Sequence, residues 1–131
     1  MPIADSRDVI AIVEDDFGMR EALTRMLKAA GFDARGYDSA EAFLETKCPR
    51  AGCLVVDVHL PGASGIDLQR RLTEDGEACP VVFITAHDTP RLRREAEELG
   101  AVAFLAKPFE GRLLLEAVGE VLARKNTKDF S

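Results

Sequence analysis

The sequence has few cysteines and no long hydrophobic run. Its three cysteines, Cys48, Cys53 and Cys79, are odd in number and form no CxxC pair, so neither a disulfide scaffold nor a zinc site is expected. No apolar stretch approaches the roughly 20 residues that span a bilayer, and the first residues lack the pattern of a signal peptide. We therefore expect a cytoplasmic protein with no membrane contact.

Positive charge is also scarce, with 17 basic against 23 acidic residues and a net charge of −6. A chain with this balance has no overall attraction for nucleic acid or anionic membranes, so direct nucleic-acid binding is not expected. Its 131 residues fit one globular domain, with 47% hydrophobic and 31% charged residues. We predict a single domain over 1–131, with a core at about 8–123 and a tail or linker start at 124–131.

Short apolar runs alternate with longer segments of helical period along the whole chain. The first run, Val9 to Val13, is β-branched and unbroken, as in a strand covered on both faces. Five such alternations predict an α/β fold, in which a parallel sheet carries helices on both faces. The predicted strands are 9–13, 32–37, 53–58, 81–86 and 101–106.

Local signals mark where the helices begin. Asp16 is suited to cap the first helix, and two pairs have capping-box spacing, Asp38 with Glu41 and Ser64 with Asp67. Thr89 followed by Pro90 predicts the start of the fourth helix. In that helix Arg91, Arg93 and Arg94 each come four residues before a glutamate, so the spacing allows three intrahelical ion pairs in the less favourable orientation. This charged face is interpreted either as a dimerisation surface or as an ordinary solvated helix face.

Polar side chains follow four of the five predicted strands. Glu14, Asp15 and Asp16 come directly after the first strand, and Lys107 comes directly after the fifth. Asp57 and Thr85 are the second-last residues of the third and fourth predicted strands, so they lie at the same end. Ligands of open parallel sheets bind beyond the carboxyl ends of the strands. Carboxylates gathered there repel one another and need a cation, and their oxygens suit Mg²⁺, with Mn²⁺ as an alternative.

The same residues fit one reaction. A carboxylate can attack phosphorus and form an aspartyl phosphate, while charge grows on the equatorial oxygens. A lysine ammonium, a threonine hydroxyl and Mg²⁺ would stabilise that charge at fixed positions.

The sequence here resembles the receiver domains of two-component response regulators, over about residues 8–123. The resemblance is carried by the strings IVEDD, LVVDVHLPGASG, VVFITAHD and AFLAKPF. It implies a flavodoxin-like (βα)5 fold with strand order 2-1-3-4-5. The family commonly has aspartate where this chain has Glu14.

The resemblance also implies a role for individual residues. Asp57 would be the phospho-acceptor, and Glu14 and Asp15 the acidic pair that serves Mg²⁺, together with Asp57 and the backbone carbonyl of His59. Thr85 would be the hydroxyl switch and Lys107 the phosphoryl partner. The remaining implied features are Phe104 as the aromatic switch and a cis bond before Pro108.

The phrases GYDSAEAFL and ITAHDTP look most like receivers of the FixJ-like kind, which commonly precede a LuxR-type helix-turn-helix. The chain is then either a single-domain regulator or, as we slightly favour, the receiver part of a longer protein controlling transcription. Its implied partner is a sensor histidine kinase or a histidine phosphotransfer protein. The resemblance also implies that the phosphorylated protein can form a homodimer through the fourth helix, fifth strand and fifth helix.

His59 and His87 follow Asp57 and Thr85 by two residues each. We interpret them either as ordinary loop residues or as modulators that control water access to the phosphoryl group. The protein is expected to catalyse only its own phosphorylation and dephosphorylation, and so not to be an enzyme in the usual sense. The rival functions are a pseudo-receiver that binds without phosphorylation and a phosphatase of the haloacid-dehalogenase kind. Such a phosphatase needs an aspartate where this chain has His59.

Overall fold

The computed structural model describes residues 9–46 and 51–129, with side chains as far as Ala123. Cys48 and residues 1–8 and 130–131 lie outside the described residues. The five strands are β1 (Val9–Val13), β2 (Asp33–Tyr37), β3 (Ala51–Asp57), β4 (Val81–Thr85) and β5 (Ala103–Ala106). The five helices are α1 (Phe17–Ala29), α2 (Ala40–Thr46), α3 (Gly65–Glu74), α4 (Pro90–Glu98) and α5 (Gly111–Asp129).

The strands form one parallel sheet in the order β2-β1-β3-β4-β5. This confirms the predicted fold and strand order. Every residue of β1, β3 and β4 is buried, which explains their unbroken apolar sequences. β2 and β5 lie at the edges, and their residues are more exposed.

Two hydrophobic clusters fill the space on the two faces of the sheet. One contains Leu54, Val56 and Phe83 from the strands with Leu68 of α3 and Ala96 of α4. In the other, the opposite side chains of the same strands pack against α1 and α5. Its members include Ile12, Val55, Leu27, Leu114 and Val118. The helical period of the sequence predicts that Leu113 belongs to the apolar face of α5, but this residue is 38% exposed.

Three of the four predicted helix starts are confirmed. Asp16 accepts a hydrogen bond from the backbone N–H of Met19, and Thr89 accepts one from Leu92. Ser64 and Asp67 form the predicted reciprocal capping box. The described helices include none long and apolar enough to cross a membrane.

Candidate functional site

The strand register brings the predicted site residues to one edge of the sheet. Val13, the last residue of β1, pairs with Val56, so Glu14 and Asp57 follow at the same level. Asp57 pairs with Ile84, and Thr85 pairs with Ala106. The polar side chains that meet at this carboxyl edge are Glu14, Asp15, Asp57, Thr85 and Lys107.

Lys107 joins two of the acids directly. Its Nζ lies 2.7 Å from Glu14 Oε1 and 2.8 Å from Asp57 Oδ2. The lysine side chain is 18% exposed, whereas both carboxylates are buried. Burial alone would lower the pKa of Lys107, but the hydrogen bonds to Asp57 and Glu14 outweigh it and raise the pKa. The peptide bond between Lys107 and Pro108 is cis, as predicted.

Glu14 is fully buried in spite of its charge. Burial raises its pKa above the ordinary value, although the hydrogen bonds from Lys107 and from the backbone N–H of Asp16 oppose the shift. Its Oε2 lies 3.2 Å from that N–H. Both carboxylate oxygens of Glu14, whose side chain is longer than the aspartate common in the family, therefore have hydrogen-bond partners.

Three carboxylates of this edge could hold one metal ion. One oxygen each from Glu14, Asp15 and Asp57 lies within 4.8 Å of the others, and Asp15 is exposed. With all three ionised and Lys107 protonated, the formal charge of the group is −2, which one divalent cation neutralises. Hard oxygen donors with an exposed side fit Mg²⁺, which keeps several waters when bound to proteins.

The turn after β3 is fixed against Asp57. The backbone N–H of His59 donates to Asp57 Oδ1 over 2.9 Å. At the start of α3, a Cβ on Gly65 would lie 2.5 Å from the carbonyl oxygen of Asp57 and 2.6 Å from Val56 Cγ1. Only glycine allows the helix to start this close to the acceptor strand.

Glu41 holds the same turn from the side of α2. Its Oε2 accepts a hydrogen bond from the backbone N–H of Ala63 over 3.1 Å. The predicted capping box of Asp38 and Glu41 is therefore wrong. The Ser39 hydroxyl instead accepts the hydrogen bond of the Ala42 N–H, which leaves the glutamate free to reach the turn.

Thr85 is buried at the end of β4, and its hydroxyl accepts a hydrogen bond from the backbone N–H of His87 over 2.9 Å. Its carbonyl accepts one from the N–H of Lys107 over 2.7 Å. The rings of His59 and His87 lie edge to face with centroids 5.2 Å apart. The two exposed histidines thus meet beside the acceptor edge, from turns that follow different strands.

Phe104 of β5 is half-buried and pairs in register with Phe83. The guanidinium of Arg93 lies 5.0 Å from its ring centroid and forms two hydrogen bonds with Asp88. Arg93 is therefore paired with Asp88 and not with Glu97, the partner that the i,i+4 spacing predicted. The predicted pair of Arg91 with Glu95 does form, at 3.7 Å.

A match to a known family accounts for this arrangement. Residues 10–119 match the family described as the response regulator receiver domain. The chain belongs to that family. As a receiver domain it is a signalling module of two-component systems, whose members interact with histidine kinase phosphodonors.

The curated relatives of this receiver domain include proteins named as response regulators and as transcriptional regulatory proteins. It is 39% identical over 116 residues to nodulation protein W of Bradyrhizobium diazoefficiens, covering 88% of this chain and 51% of that protein. It is 40% identical over 119 residues to the response regulator protein TmoT of Ectopseudomonas mendocina, covering 90% and 54%. The receiver thus spans about half the length of these curated relatives.

Solved receiver structures share the fold. The structure of FixJ-N is 37% identical to this receiver domain with a TM-score of 0.78, covering 86% of this chain and 91% of that one. The response regulator StyR is 40% identical with a TM-score of 0.79, covering 93% and 64%. These likenesses support the predicted similarity to FixJ-like receivers.

Proposed function

We propose that Asp57 is the phospho-acceptor of this receiver domain and takes its phosphoryl group from a phosphohistidine. The observation that carries the proposal is the position of Lys107 Nζ, 2.8 Å from Asp57 Oδ2 and 2.7 Å from Glu14 Oε1. A fixed ammonium next to the acceptor oxygen can stabilise the charge that develops on a phosphoryl group. Because the buried carboxylates of Glu14 and Asp57 repel a negatively charged phosphoryl group, the reaction needs a cation at this edge.

Asp15 and Asp57 would hold Mg²⁺ together with the backbone carbonyl of His59, and Glu14 would act largely through water; Mn²⁺ is the alternative ion. The ion supplies positive charge to a phosphoryl oxygen when it is bound. The carboxylate of Asp57 attacks phosphorus in line, so that an O–P bond forms while the P–N bond of the donor histidine breaks. Lys107 and the hydroxyl of Thr85 then hold the phosphoryl oxygens.

Thr85 and Phe104 would pass the change to the surface. The Thr85 hydroxyl accepts a hydrogen bond from the N–H of His87 over 2.9 Å, and it would move to donate its own proton to a phosphoryl oxygen. Its movement would vacate space that Phe104 can fill, and this biases α4 and β5 towards an active arrangement.

A homodimer through the α4-β5-α5 face is the proposed active assembly. Val102 and Leu113 expose apolar surface on this side, at 39% and 38%, and β5 is an edge strand. Light scattering with and without a small phosphodonor tests it, with dimer expected only after phosphorylation. A monomer under both conditions would contradict it.

A transcriptional output is proposed from the relatives, which include transcriptional regulatory proteins FixJ and TdiR. DNA contact would then be made by a part of the protein other than this receiver. Because the phosphohistidine of a sensor kinase is formed from ATP, we assign the transfer to the cytoplasm.

His59 and His87 are proposed as modulators of phosphoryl lifetime, because their adjoining rings come from the two turns that follow Asp57 and Thr85. Replacing either ring should open that side to water. Dephosphorylation rates of His59→Asn and His87→Ala, followed by intact mass, should differ from wild type. Identical rates in all three proteins would leave them as ordinary loop residues.

Intact-mass measurement after incubation with Mg²⁺ and acetyl phosphate tests the acceptor. We expect one added phosphoryl group on wild type, none on Asp57→Asn, and one on the control Asp33→Asn, which alters an exposed acid of β2. A wild-type protein that binds Mg²⁺ but gains no mass would favour the pseudo-receiver. Release of phosphate from many equivalents of donor, without accumulation of the phosphorylated protein and lost in Asp57→Asn, would favour a phosphatase.

A further inference from the structure

Arg20, on the first turns of α1, contacts the backbone that carries two of the acids. Its Nη1 donates to the carbonyl oxygen of Glu14 over 2.8 Å and lies 3.4 Å from that of Asp15. On the other side, the N–H of Glu14 donates to the carbonyl of Tyr37 at the end of β2. The backbone of Glu14 is therefore held on both sides, at its carbonyl by one guanidinium and at its N–H by the neighbouring strand.

Gly36 of β2 makes room for this arginine. A Cβ at Gly36 would lie 2.9 Å from Arg20 Cγ and 3.1 Å from its Cδ. The arginine stem has little freedom to move aside, because the helix fixes its Cα and the two carbonyls hold its other end. A glycine inside a strand weakens the strand, and a close approach of another group is a recognised reason for one.

Phe17 covers the guanidinium. The Arg20 Cζ lies 5.5 Å from the centroid of the Phe17 ring, which is within the range of a cation–π interaction. The Phe17 residue is 67% exposed, so its aromatic ring contributes little to the core. Gly36 and Phe17 thus place the arginine side chain between a strand and a ring.

We propose that Arg20, lying against Gly36, is a positioning residue for the metal-binding acids. It fixes the Glu14–Asp15 peptide, so both carboxylates leave the backbone from set positions. Without it, the mutually repelling acids can turn apart and must be brought together again when the ion binds. The inference rests on the proposed Mg²⁺ site and assigns Arg20 a part in its affinity.

The sign of the effect separates positioning from simple charge. The positive charge of Arg20 repels Mg²⁺, so its removal would tighten Mg²⁺ binding if only Coulomb interactions mattered. Loss of a positioning residue weakens it, and comparable outer-shell residues change metal affinity by about 10- to 100-fold. Gly36→Ala displaces the arginine and keeps its charge, so it isolates the geometric part.

The test is calorimetric titration of the full chain with Mg²⁺, beside urea unfolding without metal. Arg20→Ala and Gly36→Ala should each raise the Kd for Mg²⁺ about 10-fold. Adding Gly36→Ala to Arg20→Ala should not raise the Kd further, because both act through one contact. Arg20→Lys should weaken binding less than Arg20→Ala. The control Arg25→Ala, which removes an exposed arginine of the same helix, should bind as wild type does.

Three results would overturn the inference. Tighter binding by Arg20→Ala would mean that charge alone matters. Lower stability with an unchanged Kd in Arg20→Ala and in Gly36→Ala would mean that Arg20 has a structural role only. If Arg20→Ala fails to fold, an unchanged Kd in both Arg20→Lys and Gly36→Ala would lead to the same conclusion. Wild-type protein that binds no Mg²⁺ would contradict the proposed metal site itself, which the other results leave intact.

Discussion

Arg93 of α4 lies with its guanidinium carbon 5.0 Å from the ring centroid of Phe104 in β5. The same guanidinium is held by two hydrogen bonds to Asp88, at 2.7 and 2.8 Å. One side chain thereby connects the loop that follows Thr85 with the proposed aromatic switch. Any rearrangement of that ring has to proceed against this contact.

Arg93→Ala should release the ring of Phe104. A cation–π contact at a partly exposed site contributes about 0.5–1 kcal/mol, so its loss should shift the rotamer population by about two- to fivefold. Side-chain couplings and chemical shifts of Phe104 in the unphosphorylated protein measure the shift. Arg91→Ala, which removes another arginine of α4, should leave the spectrum of the ring unchanged; equal changes in both variants would exclude a specific role of Arg93.

The Asp88–Arg93 pair should also give a pH signature. The hydrogen bonds from Arg93 hold the pKa of Asp88 below its usual value. A depressed carboxyl pKa stabilises the fold above the unfolded-state pKa, and this contribution is lost as the pH falls through the folded-state pKa. Titration by NMR should give an ordinary pKa for Asp88 in Arg93→Ala, and an unaltered low pKa would contradict the assignment.

Lys107→Met should destabilise the metal-free protein, because Glu14 and Asp57 would keep their buried charges without the cation that pairs with them. For a pair with one partly exposed member we expect a loss of about 2–3 kcal/mol in the free energy of unfolding. Added Mg²⁺ should stabilise this variant more than wild type, since the ion replaces the missing charge. Urea unfolding with and without Mg²⁺ measures both, with Lys28→Met as the surface control; equal Mg²⁺ effects would contradict the explanation.

Asp15→Asn should stabilise the metal-free protein, in contrast to Lys107→Met. Asp15 is exposed and its carboxylate lies close to those of Glu14 and Asp57. Like charges about 4 Å apart repel by about 1 kcal/mol in water, so the variant should unfold at higher urea concentration in the presence of a chelator. In Mg²⁺ the order should reverse, because wild type gains binding energy. A destabilised metal-free variant would show that the acid supports the turn in another way.

Gly65→Ala should destabilise the receiver by about 1–3 kcal/mol, because the new methyl group meets the backbone of Asp57. The acceptor carbonyl cannot yield without disturbing β3. Gly119→Ala in α5 is the matched control, since nothing lies within 4 Å of its Cβ position. Helix propensity predicts that this second change stabilises the fold by about 0.5–1 kcal/mol. Similar thermal shifts for both would contradict the steric argument.

The acids, Thr85 and Lys107 could be predicted because each follows an apolar run, and a parallel sheet gathers such positions at one edge. The contacts of Arg20, Glu41 and Arg93 could not be predicted. In each of them a long side chain reaches from one element to another, and such a contact produces no periodic pattern in the sequence. Gly36 was the one available signal for Arg20. The pair of Asp38 and Glu41 misled because Ser39 can cap the same helix.

The hydrogen bond between Lys107 and Glu14 connects residues 93 positions apart in the chain. During synthesis the acids of β1 and β3 emerge long before their lysine, and this contact cannot form until β5 has joined the sheet. A non-local contact of this kind forms only when much of the chain is already ordered. The receiver therefore becomes able to accept a phosphoryl group only when its folding is complete. A truncated chain that lacks β5 would not be phosphorylated by its kinase.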